Sequence, residues 1–195
     1  MDDDLKQNDA ETCRRVLSGD RNAFREIVLR YQKKMLRTAS SFLGDAEQAH
    51  DAVQEIFIKV FHSLHKFDTN RPFAPWLYSI AMNTLRTSYG RRRRIEFREG
   101  IEYDEPAGAA PEAESQNPID EVIREEQRRE VSAAIATLPP TLREVVVLYY
   151  IEQLSVSETS EALGITTENV KSRLFRARKI LKGKLLPDAT DGAVW

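Results

Sequence analysis

The chain has 195 residues, 41% hydrophobic and 31% charged, a globular composition long enough for one large domain or two small ones. Eight glycines and eight prolines are too few for a turn-rich all-β design, and no apolar run approaches the roughly 18 residues of a membrane span. The acidic start Met1-Asp2-Asp3-Asp4 lacks the layout of a secretory signal, and the lone Cys13 can form neither an internal disulfide nor a zinc site, so a cytoplasmic, reducing setting is expected.

The formal net charge of −2 hides a sorting of charge into blocks, which appear as the chain is followed. From about residue 10 to 97 the spacing predicts several helices that form a first module. Phe24, Ile27, Val28, Tyr31 and Met35 recur at helical intervals after a cap at Ser18 or Asp20. Gly44-Asp45 interrupts, and a second helix runs from about Ala46 to His65. Val53, Phe57, Val60 and Leu64 make its buried face. Asp51, Glu55, Ile58 and His62 line another, with Gln54 alongside. An isoleucine in a polar stripe fits a protein-docking face, although single exposed apolar residues are ordinary.

A turn at Asp68-Thr69-Asn70-Arg71-Pro72 precedes a third helix, which starts near Pro75 and ends around Gly90 or within the arginines that follow. Leu77, Ile80, Ala81, Thr84 and Ser88 form its packed face. Tyr78, Ser79, Met82, Asn83 and Arg86 form the opposite one, where an aromatic, an amide and a guanidinium can stack on bases and bond to their edges. Phe67, Phe73 and Trp76 sit in or beside the preceding loop, and for Phe73 and Trp76 a core role fits as well as a functional one.

Residues 86–98 carry six arginines against the single acid Glu96, whereas residues 99–121 carry eight acids and no base. Rich in Ala, Gly, Pro, Glu and Ser, residues 98–118 read as an acidic linker without structure of its own. Two basic blocks flanking an acidic tether indicate two polyanion-binding places held apart. A second helical module occupies 119–186, punctuated by Pro139-Pro140 and Gly164.

Within it a short helix (about Ser157 to Leu163), a turn at Gly164-Ile165 and a helix beginning after Thr166 or Thr167 have helix-turn-helix proportions. Val170, Leu174, Ala177 and Leu181 fall on one face of that last helix. Ser172, Phe175, Arg176 and Lys179 fall on the other, with Lys171 and Lys182 at its edge. Residues 171–184 hold seven bases and no acid. Cationic heads for phosphates and guanine edges, with an aromatic ring for thymine methyls, fit a DNA-reading helix. The plainer alternative is a solvated basic helix with Phe175 covered by a neighbour.

No catalytic residue, metal site or cofactor is expected. Asp51 and Glu55 belong to neither an H-E-x-x-H nor an E-x-x-H arrangement, and His62 with His65 lacks an obvious third ligand. No phosphate loop or nucleophile elbow is present. Two rivals remain from the residues alone. One is a free-standing helix-turn-helix regulator whose first module senses or dimerises; the other is a metal enzyme using the histidines.

Three motifs together resemble the sigma-70 family of RNA polymerase specificity subunits, in its extracytoplasmic-function (ECF) branch. Asp51-Ala52-Val53-Gln54-Glu55-Ile56-Phe57-Ile58-Lys59-Val60-Phe61 resembles the polymerase-binding helix of region two. Phe73-Ala74-Pro75-Trp76-Leu77-Tyr78-Ser79-Ile80-Ala81-Met82-Asn83 resembles the element that melts and reads the minus-ten box. Leu138-Pro139, Leu154-Ser155 and Asn169-Val170-Lys171-Ser172-Arg173-Leu174-Phe175-Arg176-Ala177-Arg178 resemble region four, which reads the minus-thirty-five box.

The resemblance implies an all-α protein of two small helical domains that docks on polymerase core (β′ and β), reads promoter DNA and is held by an anti-sigma factor. It implies a monomer when free, cytoplasmic or held at the membrane through that partner. Asp51, Gln54, Glu55, Ile58 and His62 would meet the β′ coiled coil. Phe67, Phe73, Trp76, Tyr78, Ser79, Asn83 and Arg86 would serve the minus-ten element, with Asn83, Phe67 and Tyr78 around a flipped non-template base. Thr167, Lys171, Ser172, Phe175, Arg176 and Lys179 would enter the major groove, and the acidic linker would thread through the polymerase. Thr159-Ser160 stands where the family has an apolar residue and Ala, which predicts looser packing of the first helix of the turn motif. Pro72 and Pro75 also depart from the family's loop, so the role of that loop carries over and the bases it reads do not.

Overall fold

The computed structural model describes residues 2–99, 126 and 129–186, without the side chains of 2–7, 95, 96 and 99. Helix α1 spans Asp2–Leu17, α2 Ala23–Leu43, α3 Ala46–Ser63 and α4 Phe73–Glu99, with a 3-10 turn at Leu64–Lys66 before α4. Helix α5 covers residues 129–136, α6 Pro140–Val146, α7 Val156–Leu163 and α8 Thr167–Leu185. A π turn over Val147–Ile151 continues α6. Among the described residues there is no strand, and the all-α expectation holds. Most of the acidic linker (98–118), the start of the second module at 119 and the tail from 187 to 195 lie outside the described residues.

In α2 the predicted stripe is the one that packs. Ile27, Tyr31 and Met35 are buried, while Phe24 and Val28 are partly buried beside them. Asn22 holds the N-cap position in place of Ser18 or Asp20, yet Asp20 still accepts a bond from the Ala23 amide at 3.3 Å. Gly44 closes the helix at φ 72, a left-handed value that glycine adopts without the Cβ clash other residues suffer. Asp45 then caps α3 by accepting from the Gln48 amide at 3.0 Å. Helix α1 is tied to α2 by the buried Asp9, which pairs with Arg30 and accepts from the Tyr31 hydroxyl at 2.6 Å. Cys13 is fully buried, and burial, with the Asp9 charge second, pushes its thiol up to about 12, which leaves it a packing residue.

Helix α4 is longer than predicted at both ends. It starts at Phe73, so Pro75 lies in the first turn, where a missing N–H costs nothing. It passes through Gly90 to Glu99. The arginines after Gly90 are good helix formers and offset the ~1 kcal/mol that one interior glycine costs.

Pro140 starts α6 at a position that tolerates proline. Ser155 and Glu158 form a reciprocal capping box at the start of α7. Gly164, at φ 65, turns the chain, and Thr166 caps α8 by accepting from the Asn169 amide at 3.2 Å. The expected loosening at Thr159-Ser160 is not observed. Thr159 is fully buried, and the Ser160 hydroxyl donates to the Ile165 carbonyl at 2.8 Å, which fastens the turn. The Thr159 hydroxyl has no partner among the described residues. Thr159→Val should therefore raise stability by about 1 kcal/mol, since the buried unpaired hydroxyl gives way to a methyl of similar size. Thermal unfolding of the two chains compares them directly.

The two halves are not held apart. Helix α4 runs along α7, α2 lies against α6 and the π turn, and the buried side chains of both halves join in one core. Arg143, 1% exposed, crosses the seam. It donates to the Phe42 carbonyl at 2.6 Å, to the Leu138 carbonyl at 3.0 Å and to the Ala136 carbonyl. Its guanidinium also lies 5.7 Å from the Phe42 ring centre and 5.3 Å from that of Tyr89.

Candidate nucleic-acid interface

The α3 surface is as the sequence places it. Asp51, Gln54 and His62 are exposed, Glu55 is half-exposed, and Ile58 is 58% exposed. Glu55 is held by Lys59 one turn on, at 2.7 Å. Phe61 extends the apolar spot, edge-on to Phe24 at 5.0 Å and to His62 at 5.9 Å. An aliphatic side chain rimmed by carboxylates and an amide can seat in a partner's apolar notch while the rim meets cations.

The α4 surface departs from the sequence picture. Phe67 and Phe73 are buried, packed on each other at 5.4 Å and on Trp76 at 5.0 and 5.6 Å, with Tyr31 against Phe73 at 5.6 Å. Phe73 is therefore core, Phe67 is not an open wall of a pocket, and Trp76 forms the partly buried rim of this cluster. Tyr78 and Met82, expected to face outward, are 2% and 0% exposed. A helical wheel for one module has a single packed face, but α4 packs on two sides, toward α2 and α3 and toward α7. The Tyr78 hydroxyl donates to Glu152 at 2.6 Å, and burial together with that carboxylate holds its ionisation far above the ordinary phenol range.

What remains outward on α4 is a narrower polar strip. The Ser79 hydroxyl turns back to the Trp76 carbonyl at 2.7 Å. Asn83 is exposed and its amide oxygen accepts from Arg86 at 2.9 Å. Arg86 in turn donates to Glu144 at 2.7 Å.

Helix α8 keeps its two faces. Val170, Leu174 and Ala177 are buried and Leu181 partly so. Lys171, Ser172, Arg176 and Lys179 are exposed, Thr167 is half-exposed, and Phe175 is 68% exposed rather than covered by a neighbour. Arg173, between the faces, pairs with Glu144 at 2.7 Å and bonds to Asn169 at 3.1 Å.

Sequence reasoning missed the residues that join these surfaces: Arg37, Arg143, Glu144 and Glu152. The Glu152 side chain is fully buried, accepts two bonds from Arg37 at 3.1 and 3.0 Å, and holds the Arg37 guanidinium more firmly protonated than usual. One signal was present: Arg143-Glu144 is a charged pair inside the apolar run from Leu142 to Leu148, and charges so placed need dedicated partners. Among the described residues no three His, Cys, Asp or Glu side chains gather to hold a metal ion.

Residues 27–95 match the family described as Sigma-70 region 2, and residues 128–181 match Sigma-70, region 4. The chain is 34% identical over 176 residues to the ECF RNA polymerase sigma factor SigW of Bacillus subtilis, covering 88% of this chain and 94% of that one. It is 34% identical over 187 residues to the RNA polymerase sigma-H factor of Pseudomonas aeruginosa, covering 93% and 96%. Among solved structures it resembles CnrH in complex with the cytosolic domain of CnrY, with a TM-score of 0.68 at 27% identity over 93% of this chain and 99% of that one. The fold is also that of RpoE from Bartonella quintana, crystallised with the anti-sigma factor NepR, with a TM-score of 0.69 at 21% identity over 85% and 98%.

Proposed function

The chain belongs to the ECF branch of the sigma-70 family, and we propose that its three surfaces divide the work of a sigma factor in chain order. It binds RNA polymerase core, directs that enzyme to promoters and promotes opening of the duplex; the polymerase supplies the catalysis. The α3 stripe of Asp51, Gln54, Glu55, Ile58 and His62 docks on β′. The α4 strip of Ser79, Asn83 and Arg86 reads the minus-ten element as bases unstack, backed by the cluster of Phe67, Phe73, Trp76 and Tyr78. Helix α8 reads the minus-thirty-five element through Thr167, Lys171, Ser172, Phe175, Arg176 and Lys179. Residues 10–97 and 119–186 are the two modules and 98–118 their acidic linker.

The observation that carries this reading is the outward Phe175, 68% exposed among exposed bases on a helix whose other face buries Val170, Leu174 and Ala177. Leaving a phenylalanine in water is unfavourable unless a partner covers it, and a major groove offers thymine methyls. We assign control to an anti-sigma factor. CnrH is held by a cytosolic domain of a second protein, and the same kind of partner fits this chain. No helix among the described residues is long and apolar enough to cross a membrane.

Run-off transcription with core polymerase tests the assignment, with promoter binding measured beside it. Arg176→Ala should lower promoter affinity by ~1–3 kcal/mol if it makes a bidentate base contact. Lys182→Ala should weaken all sequences alike and flatten the salt dependence. Normal binding and transcription in both variants would place the recognition surface elsewhere.

A further inference from the structure

Helix α1 has no part in the work assigned so far, yet it walls a cleft of its own. Two clefts meet at the turn that precedes α4. One, of about 310 Å³, opens beside the α4 strip and is lined by Phe67, Arg71, Pro72, Trp76 and Ser79. The other, of about 570 Å³, lies between α1 and the turn, where Glu11 and Arg14 stand across from Thr69, Asn70, Arg71 and Pro72. Arg71 and Pro72 line both, so the clefts are neighbours on one surface. Both volumes fall in the range of small-ligand sites, roughly 300–1,000 Å³.

The walls of the α1 cleft are fixed. Buried Asp9 ties α1 to Arg30 and Tyr31 of α2, which sets the place of Arg14 little more than a turn further on. Asp68 braces the turn, one oxygen accepting from the Asn70 backbone N–H and from its side chain, each at 3.0 Å. The groups left over suit a nucleotide. Arg14 is exposed and meets Glu11 at 3.3 Å, a loose surface pair that a phosphate can replace. The Asn70 side-chain nitrogen is engaged by Asp68, which leaves the amide oxygen to accept from a base amino group. The exposed Pro72 ring offers an apolar face for a base to lie against. We propose that this cleft is a second nucleotide site, which takes one unpaired base next to those held at the α4 strip, with Arg14 on its phosphate and Asn70 on its edge. The inference rests on the reading of α4 as the minus-ten surface and extends that surface across the turn onto α1. A strand leaving α4 past Arg71 and Pro72 meets α1 next, so opening of the duplex gains a second hold.

The test uses the full chain with core polymerase and a fluorescein-labelled non-template single strand. The strand spans the minus-ten region of a promoter whose start site has been mapped. Each nucleotide in turn is replaced by an abasic one, and fluorescence anisotropy reports affinity. The unaltered chain should lose about tenfold at a position served by α4 and again at one beyond it, the scale of one stacked base. Asn83→Ala should abolish the first sensitivity, and R14A/N70A only the second. On the intact strand R14A/N70A should bind about tenfold more weakly. Circular dichroism checks that helix is retained. If R14A/N70A disturbs the turn, Arg14→Glu alone serves, since Asp9 rather than Arg14 fixes α1, and it should remove the same sensitivity. An R14A/N70A chain that keeps the full abasic profile, while Asn83→Ala alters it, would overturn the proposal and leave α4 as the minus-ten surface. So would a variant weakened equally at every position, because Arg14 would then act only as diffuse charge. A profile indifferent to Asn83→Ala as well would instead sink the reading of α4, and the proposal with it.

Discussion

Ile58→Asp is expected to cost the chain its hold on core polymerase while leaving its helices intact. Ile58 is more than half exposed and has polar neighbours along α3, so the fold gains little from it; surface changes of this kind stay within about 0.5 kcal/mol. At the centre of a docked face the same change buries a carboxylate with no partner. Hot-spot residues in such positions are worth 2 kcal/mol or more, a loss of roughly thirtyfold or greater. Asp51→Arg, at the rim, should act in the same direction by reversing the sign presented to β′. Co-migration with core polymerase on gel filtration, alongside circular dichroism of the free chain, checks both. A variant that co-migrates normally would remove the α3 stripe from the docking surface.

The second large effect is on stability. Arg143→Ala should destabilise the chain by about 3 kcal/mol, lowering the melting temperature by roughly 10 °C. Phe42 lies in the last turn of α2 and Ala136 closes α5, so their carbonyls belong to the helix ends, where intrahelical donors run out. The Arg143 guanidinium supplies the missing donors from between the two halves, and its charge suits the negative end of each helix. Alanine would leave the carbonyls dry and unpaired and open a void beside Phe42 and Tyr89. Arg143→Met fills the void without restoring the bonds, so its loss should be smaller, about half. Equal melting temperatures for the unaltered chain and Arg143→Ala would show that water replaces the guanidinium at no cost.

Arg143 also marks where sequence reading ended. Surfaces that face away from everything were legible: the α3 stripe, the two faces of α8 and its caps follow from helical spacing within one element. The α4 face was misread because its burial depends on a second module roughly 70 residues away. A wheel drawn on Leu77 to Arg86 carries no information about Glu152, and it places Tyr78 and Met82 outward. The α4 terminus was misread for a local reason, since Gly90 looked like a stop and the following arginines prolong the helix. The polarity of Thr159 suggests loose packing, but a threonine is close in shape to valine and fits a dry site at the expense of one hydrogen bond.

The most direct test of the account is permanganate footprinting of unpaired thymines on a promoter whose start site has been mapped with this chain. With core polymerase and the chain together, reactive thymines should appear across the minus-ten region. Core alone, or the chain alone, should leave the duplex closed. Asn83→Ala should reduce the opening more than it reduces initial binding, because the exposed amide loses its bond to an unstacked base. A template with a pre-opened bubble should recover part of the deficit. If instead the chain binds duplex without polymerase and no thymine ever becomes reactive, it acts as an ordinary helix-turn-helix regulator, and the assignment of α4 to melting is wrong.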